Sequence, residues 1–181
     1  TGAAVAGSAA VVDGVVYMAS EDGQLFALDA KSGDERWVTE FSRQRPCGSP
    51  AVAYGVVFIG EGAKGGHEIG VMTGGPVVGL DIDSGVVVWR GPSGPQGYAA
   101  ICLDENTLFA GANGSNFAAV DLATGKTLWS QNGGHQNRQF MSFTRFGDLA
   151  YVPGSMTGTV MAWDPIRGHS KWHEPIWPGQ Q

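Results

Sequence analysis

Residues 27–37 read ALDAKSGDERW, in which Asp29 precedes Gly33 by four positions and Trp37 by eight. The same spacing returns three times. Asp81, Gly85 and Trp89 lie in GLDIDSGVVVW, Asp121, Gly125 and Trp129 in AVDLATGKTLW, and Asp164, Gly168 and Trp172 in AWDPIRGHSKW. Successive Asp markers are 52, 40 and 43 residues apart. A spacing repeated at that interval marks an array of similar structural units.

Around each marker, apolar runs of strand length alternate with turn residues. In the first unit AAVV meets VVYMAS through Asp13-Gly14, QLFALD follows Glu21-Asp22-Gly23, and DERWVTEF follows Lys31-Ser32-Gly33. The second unit offers PAVAYG, VVFIGE, GPVVGLD and VVVWRG; the third AAICLDEN, TLFAGA, SNFAAVD and KTLWSQ; the fourth SFTRFG, LAYVPG, GTVMAWD and SKWHEP. The pattern predicts an all-β fold, a β-propeller of four four-stranded antiparallel blades. Their approximate bounds are 8–42, 48–92, 97–132 and 140–177, within one propeller segment.

The signature has a physical reading. The Asp ends a third strand and caps the turn, the Gly takes a left-handed conformation, and the chain reverses. The Trp falls on the outer strand, where burial of roughly 200 Å² against the next blade stabilises by several kcal/mol. Trp37, Trp89, Trp129 and Trp172 are therefore expected to lock neighbouring blades together. Four carboxylates doing one local job lack the differing environments that acid–base catalysis needs.

The 29 glycines and 43% hydrophobic residues fit a turn-dense, packed protein. A net charge of −6 supplies no basic row for phosphates, so nucleic acid is not an expected partner. No apolar run is long enough for a membrane span. Cys47 and Cys102 match no zinc spacing and define no disulfide framework, so their pairing stays open. The start at Thr1, without Met, is expected of a processed chain or a piece of a longer one. His169 and His173 would stand roughly 13 Å apart on a strand, too far to share an ion. The polar connection QNGGHQNRQ carries Asn132, His135, Asn137 and Arg138, which could reach a ligand at the propeller mouth.

With these residues, the signature resembles the tryptophan-docking repeat of PQQ-like propellers. That superfamily includes quinoprotein alcohol dehydrogenases and non-catalytic lipoproteins of outer-membrane protein assembly. The periodicity breaks only at EGAKGGHEIGVMTGG, residues 61–75. There Gly66-His67-Glu68-Ile69-Gly70-Val71 is similar to the segment that, in the dehydrogenases, touches the quinone and binds calcium. The resemblance implies PQQ beside Gly65, Gly66 and His67, Ca²⁺ on Glu68, oxidation of a small-molecule or polymeric alcohol, and a periplasmic or secreted setting. The family's adjacent Cys pair and catalytic Asp segment have no match here, and Met72 stands where its Arg is usual, so the catalytic residues are unassigned. The second reading is a non-enzymatic scaffold that presents loops to proteins. Four blades are half of the usual eight, so the chain is expected to be part of a larger ring, to associate with another chain, or to close as a tighter ring.

Overall fold

The computed structural model describes residues 3–41, 44–63, 74–91, 100–103, 106–112, 116–124, 126–132, 144–154 and 159–175. They form four sheets. The first holds β1 (Val5–Val12), β2 (Val15–Ser20), β3 (Gln24–Asp29) and β4 (Glu35–Glu40). The second holds β5 (Gln44–Ala53), β6 (Val56–Ala63), β7 (Gly74–Asp81) and β8 (Val87–Arg90). The third holds β9 (Ala100–Leu103), β10 (Thr107–Ala112), β11 (Asn116–Asp121) and β12 (Thr127–Asn132). The fourth holds β13 (Thr144–Phe146), β14 (Leu149–Gly154), β15 (Thr159–Asp164) and β16 (His169–Pro175).

Every sheet is an antiparallel meander in which sequence neighbours are hydrogen-bonded neighbours. Strand β5 packs against β1 and β2, β9 against β5 and β6, and β13 against β9. The first strands thus converge toward a common axis while the fourth strands lie outside, the arrangement of a propeller.

Three apolar seams join the sheets. Tyr17, Ala27 and Trp37 meet Val57, Ile59, Val78 and Leu80 in the first. Phe58 and Trp89 meet Leu108 and Val120 in the second, and Phe109 and Trp129 meet Ala150, Val152 and Trp163 in the third. At the first seam Trp37 is 8% exposed, and its indole N–H donates to the Ile82 carbonyl of the next sheet at 2.9 Å. Thr39 Oγ1 donates to the Gly85 carbonyl beside it at 2.6 Å. At the third seam the Trp129 N–H donates to the Pro165 carbonyl at 3.0 Å.

Glycine is needed in the receiving turn for two reasons. Gly85 and Gly168 both have φ of +70°, and a Cβ at either would stand 2.6 Å from the docked indole. Each Trp also leans on an aromatic residue of its own second strand. Ring centroids are 5.9 Å apart for Tyr17–Trp37 and Phe58–Trp89, 5.6 Å for Phe109–Trp129 and 6.0 Å for Tyr151–Trp172.

Trp172 corrects the expectation that all four indoles lie between sheets. It is 41% exposed, because among the described residues no further sheet stands beside it.

Candidate functional site

In a four-strand meander, odd strands run one way and even strands the other. The Asp-x-x-x-Gly turns and the tight turns after each first strand therefore gather at one end. The connections between second and third strands, and the links between sheets, gather at the opposite end. Those second-to-third connections are unequal: 21–23 and 113–115 hold three residues each, 155–158 holds four, and 64–73 holds ten. Gly65, Gly66, His67 and Glu68 lie in the long one, outside the described residues. His135, Asn137 and Arg138 also lie outside them.

At the stem of the long connection, Gly62 pairs with Gly74 after a register shift between Gly60 and Gly62. Beside it Glu61 is 5% exposed and accepts two hydrogen bonds from Arg90 Nη1, at 2.8 and 2.9 Å. A buried carboxylate is costly unless paired, and Arg90, half in solvent, provides that pairing from the outer strand. Glu61 is thereby a neutralised anchor for the loop base and not an open cation ligand. The sequence signal for it was present: strand alternation puts Glu61 on the face of Val57 and Ile59, where a charge needs a partner.

Around the axis, β1 and β5 begin earlier than the apolar runs AAVV and PAVAYG indicate. Each carries an irregularity, between Ala6 and Ala10 and between Cys47 and Ala51, that contains a glycine of positive φ, +85° at Gly7 and +82° at Gly48. A Cβ on Gly7 would stand 2.6 Å from the Gly48 carbonyl oxygen, and the Ser8 N–H donates to Ser49 Oγ at 2.9 Å. These bulges bring two inner strands together where side chains would hold them apart. The repeated Gly-Ser at 7–8 and 48–49 was their mark in the sequence.

The four marker carboxylates are turn caps. Asp29 Oδ1 accepts from the N–H groups of Lys31 and Ser32 at 3.0 and 3.1 Å, and Asp81 and Asp121 accept from Ser84 and Thr124 at 2.9 and 2.7 Å. Asp164 accepts from Ile166 and Arg167 at 3.1 and 2.8 Å. The Arg36 guanidinium bond holds the Asp29 carboxyl well below the usual carboxylate range, and the hydroxyl bonds from Ser84 and Thr124 lower Asp81 and Asp121. At Asp164 desolvation pushes upward but is outweighed by the Arg167 and Ile166 bonds, leaving a lowered carboxyl.

Carboxyls lowered by folding stabilise the protein above their unfolded value and lose that stabilisation as pH falls through the folded one. Thermal melts are therefore expected to be level above about pH 5 and to fall in midpoint below the ordinary aspartate value of 3.8. The double variant Asp81→Asn, Asp121→Asn should flatten that acid limb. A parent midpoint unchanged down to pH 2 would contradict this origin.

His169 and His173 are both exposed on the extended strand β16, so they do not form a chelating pair. Among the described residues no group of three or more His, Cys, Asp or Glu side chains could hold a metal ion. No described helix is long and apolar enough to cross a membrane.

A protein family described as outer membrane protein assembly factor BamB, PQQ_2, matches residues 1–161. The tetrathionate hydrolase of Acidithiobacillus ferrooxidans is 25% identical over 93% of this chain and 36% of its own length. Quinohemoprotein alcohol dehydrogenase ADH IIB of Pseudomonas putida is 31% identical over 91% of this chain and 25% of its own. The crystal structure of BamB from Moraxella catarrhalis matches with a TM-score of 0.67 at 22% identity, covering 94% of this chain and 50% of that one. The chain thus spans between a quarter and half of the length of these proteins. Its four meandering sheets, their indole seams and the match over residues 1–161 establish that it belongs to the PQQ-like β-propeller repeat family.

Proposed function

We propose that the chain is the cofactor-bearing portion of a quinoprotein alcohol dehydrogenase of the periplasm or extracellular space. The observation that carries this reading is the inequality of the connections. Three of the four hairpins close in three or four residues, and the fourth holds the ten that include Gly65, Gly66, His67 and Glu68. Scaffold regularity with one enlarged, glycine-rich loop is how a repeat fold gains a site. The likeness to a quinohemoprotein alcohol dehydrogenase supports the same reading.

In this reading the small residues at 65 and 66 and the imidazole of His67 lie against PQQ, and Glu68 ligates Ca²⁺. The donor chemistry fits in kind, since calcium takes carboxylate oxygens. It is one ligand of the roughly six to eight that Ca²⁺ takes, so cofactor oxygens and further residues complete the set. Bound PQQ would supply the two-electron sink for an alcohol, with Ca²⁺ as the Lewis acid on its carbonyl. The chain's own part is to orient the cofactor through Gly65–His67 and to hold the loop base through Glu61 and Arg90.

A titration of the full-length protein with PQQ and Ca²⁺, followed by quinone absorbance, tests this. Calcium-dependent binding is expected, with Glu68→Gln weakening it about tenfold or more, in line with loss of a charged ligand. Unchanged affinity in that variant removes Glu68 from the site. The family match favours a second reading, a non-enzymatic scaffold for protein partners in outer-membrane protein assembly. Failure of the full-length protein to bind PQQ would favour it over the dehydrogenase.

A further inference from the structure

The second sheet departs from the other three at one place, and it does so in three ways at once. Its connection between second and third strands holds ten residues where the others hold three or four. Its β6–β7 ladder shifts register there, Gly60 facing Val77 and Gly62 facing Gly74, so that Glu61 alone stands opposite Gly75 and Pro76. The β2–β3, β10–β11 and β14–β15 ladders run through without a shift. The third departure is the buried ion pair. Three positions after the second-strand aromatic, where the second sheet has Glu61, the others have Ser20, Ala112 and Gly154. One position after the marker Trp, where it has Arg90, they have Val38, Ser130 and His173. Three sheets of the same plan form without the pair, so the plan itself does not need it.

Ile59, Val78 and Arg90 form a cross-strand row, and from its outer end the guanidinium reaches over β7 to Glu61, the next residue of β6 on that face. Arg90 is itself fixed on both sides. Trp89 packs edge-on against Phe58 in the second seam, and the Gly91 N–H donates to the Val77 carbonyl at 2.8 Å. The pair thus ties the outer strand to the last paired residues before the long connection, and β6, β7 and β8 become one braced unit. A bulge re-aims the strand that carries it, and a brace beside the bulge holds the new direction.

We propose that Glu61 and Arg90 are positioning residues of the candidate site, a brace that fixes the course on which β6 and β7 deliver the long connection and that the sheet does not need for its own stability. This rests on the reading of that connection as the cofactor loop.

The test is made on the full-length protein carrying Glu61→Met and Arg90→Met together. Replacing both members of a buried ion pair by apolar groups of similar length is close to neutral for folding, so the melting midpoint should stay within about 4 °C of the parent. Calcium-dependent PQQ affinity should nevertheless fall about ten- to a hundredfold, as it does when the residues that orient a ligand are removed. Arg90→Lys should keep affinity within about threefold, because both bonds to Glu61 come from the single nitrogen Nη1, which one ammonium can replace. Deuterium uptake over residues 56–63 and 74–81 reads the brace without any quinone, and at the stem it should quicken about tenfold in the double variant. Parental affinity in the double variant overturns the proposal. A midpoint that falls in step with affinity overturns it as well, since the pair would then be a support of the sheet. If the full-length parent binds no PQQ, the cofactor reading fails by itself and the exchange decides alone. Unaltered uptake then overturns the brace, and faster uptake confined to the stem upholds it.

Discussion

Trp37→Ala is expected to lower the melting temperature by about 6 to 20 °C. Truncating a buried tryptophan costs about 3–5 kcal/mol, and each kcal/mol shifts a domain of this size by roughly 2–4 °C. Trp37 meets the conditions for the upper part of that range. It is 8% exposed, and its ring covers Gly85 while its N–H satisfies the Ile82 carbonyl. Removal opens a cavity across the first seam and leaves the Ile82 carbonyl without its indole donor. Stability of a repeat array is close to a sum of units and nearest-neighbour seams, so the first sheet should loosen in a transition of its own. Thermal melts paired with limited proteolysis will show it as early cleavage before the second sheet. A shift below about 3 °C would mean that the indole is not what joins these sheets.

The second large effect is expected from the other side of the same seam. Gly85→Ala forces a side chain into a left-handed conformation, which costs about 1–2 kcal/mol by itself. It also places a Cβ 2.6 Å from Trp37 Cε3 and 2.8 Å from Thr39 Oγ1, closer than atoms can stand. The ring must withdraw, and part of the seam goes with it. Gly55→Ala in the same sheet isolates the first contribution, since Gly55 has φ of +72° and nothing within 4 Å. Urea denaturation should give about 1 kcal/mol for Gly55→Ala and at least 3 kcal/mol for Gly85→Ala. Equal losses would assign the whole effect to backbone strain and none to docking.

The parts of the fold that were legible in the sequence are those set by local geometry. A turn that needs a capping Asp and a left-handed Gly fixes a four-residue spacing, and the outer strand then fixes the Trp four residues later. The regular aromatic at the third place of each second strand, Tyr17, Phe58, Phe109 and Tyr151, was equally periodic but is explained only by the indole it meets across the sheet. Features that depend on residues far along the chain were harder to read. Position 7 has no room for a Cβ because Gly48, 41 residues away, approaches its backbone, and Glu61 is tolerated because Arg90 reaches it from 29 residues on. Trp172 obeys every local rule of its repeat, and whether it is covered depends on a neighbour that its own repeat does not encode. Of the candidate site, composition marked Gly65–Glu68, whereas the ion pair at the loop base is a tertiary fact.

The meander has a consequence for how the polypeptide matures. Each strand ladder joins consecutive segments, so hydrogen bonding can finish within one repeat as it leaves the ribosome, without waiting for distant sequence. The indole contacts reach further, 45 residues forward from Trp37 to Ile82, so they form only after the following repeat has emerged. A nascent chain would therefore carry completed sheets with one greasy flank always awaiting its successor. That flank, and not unpaired backbone, is where translation arrest would invite aggregation.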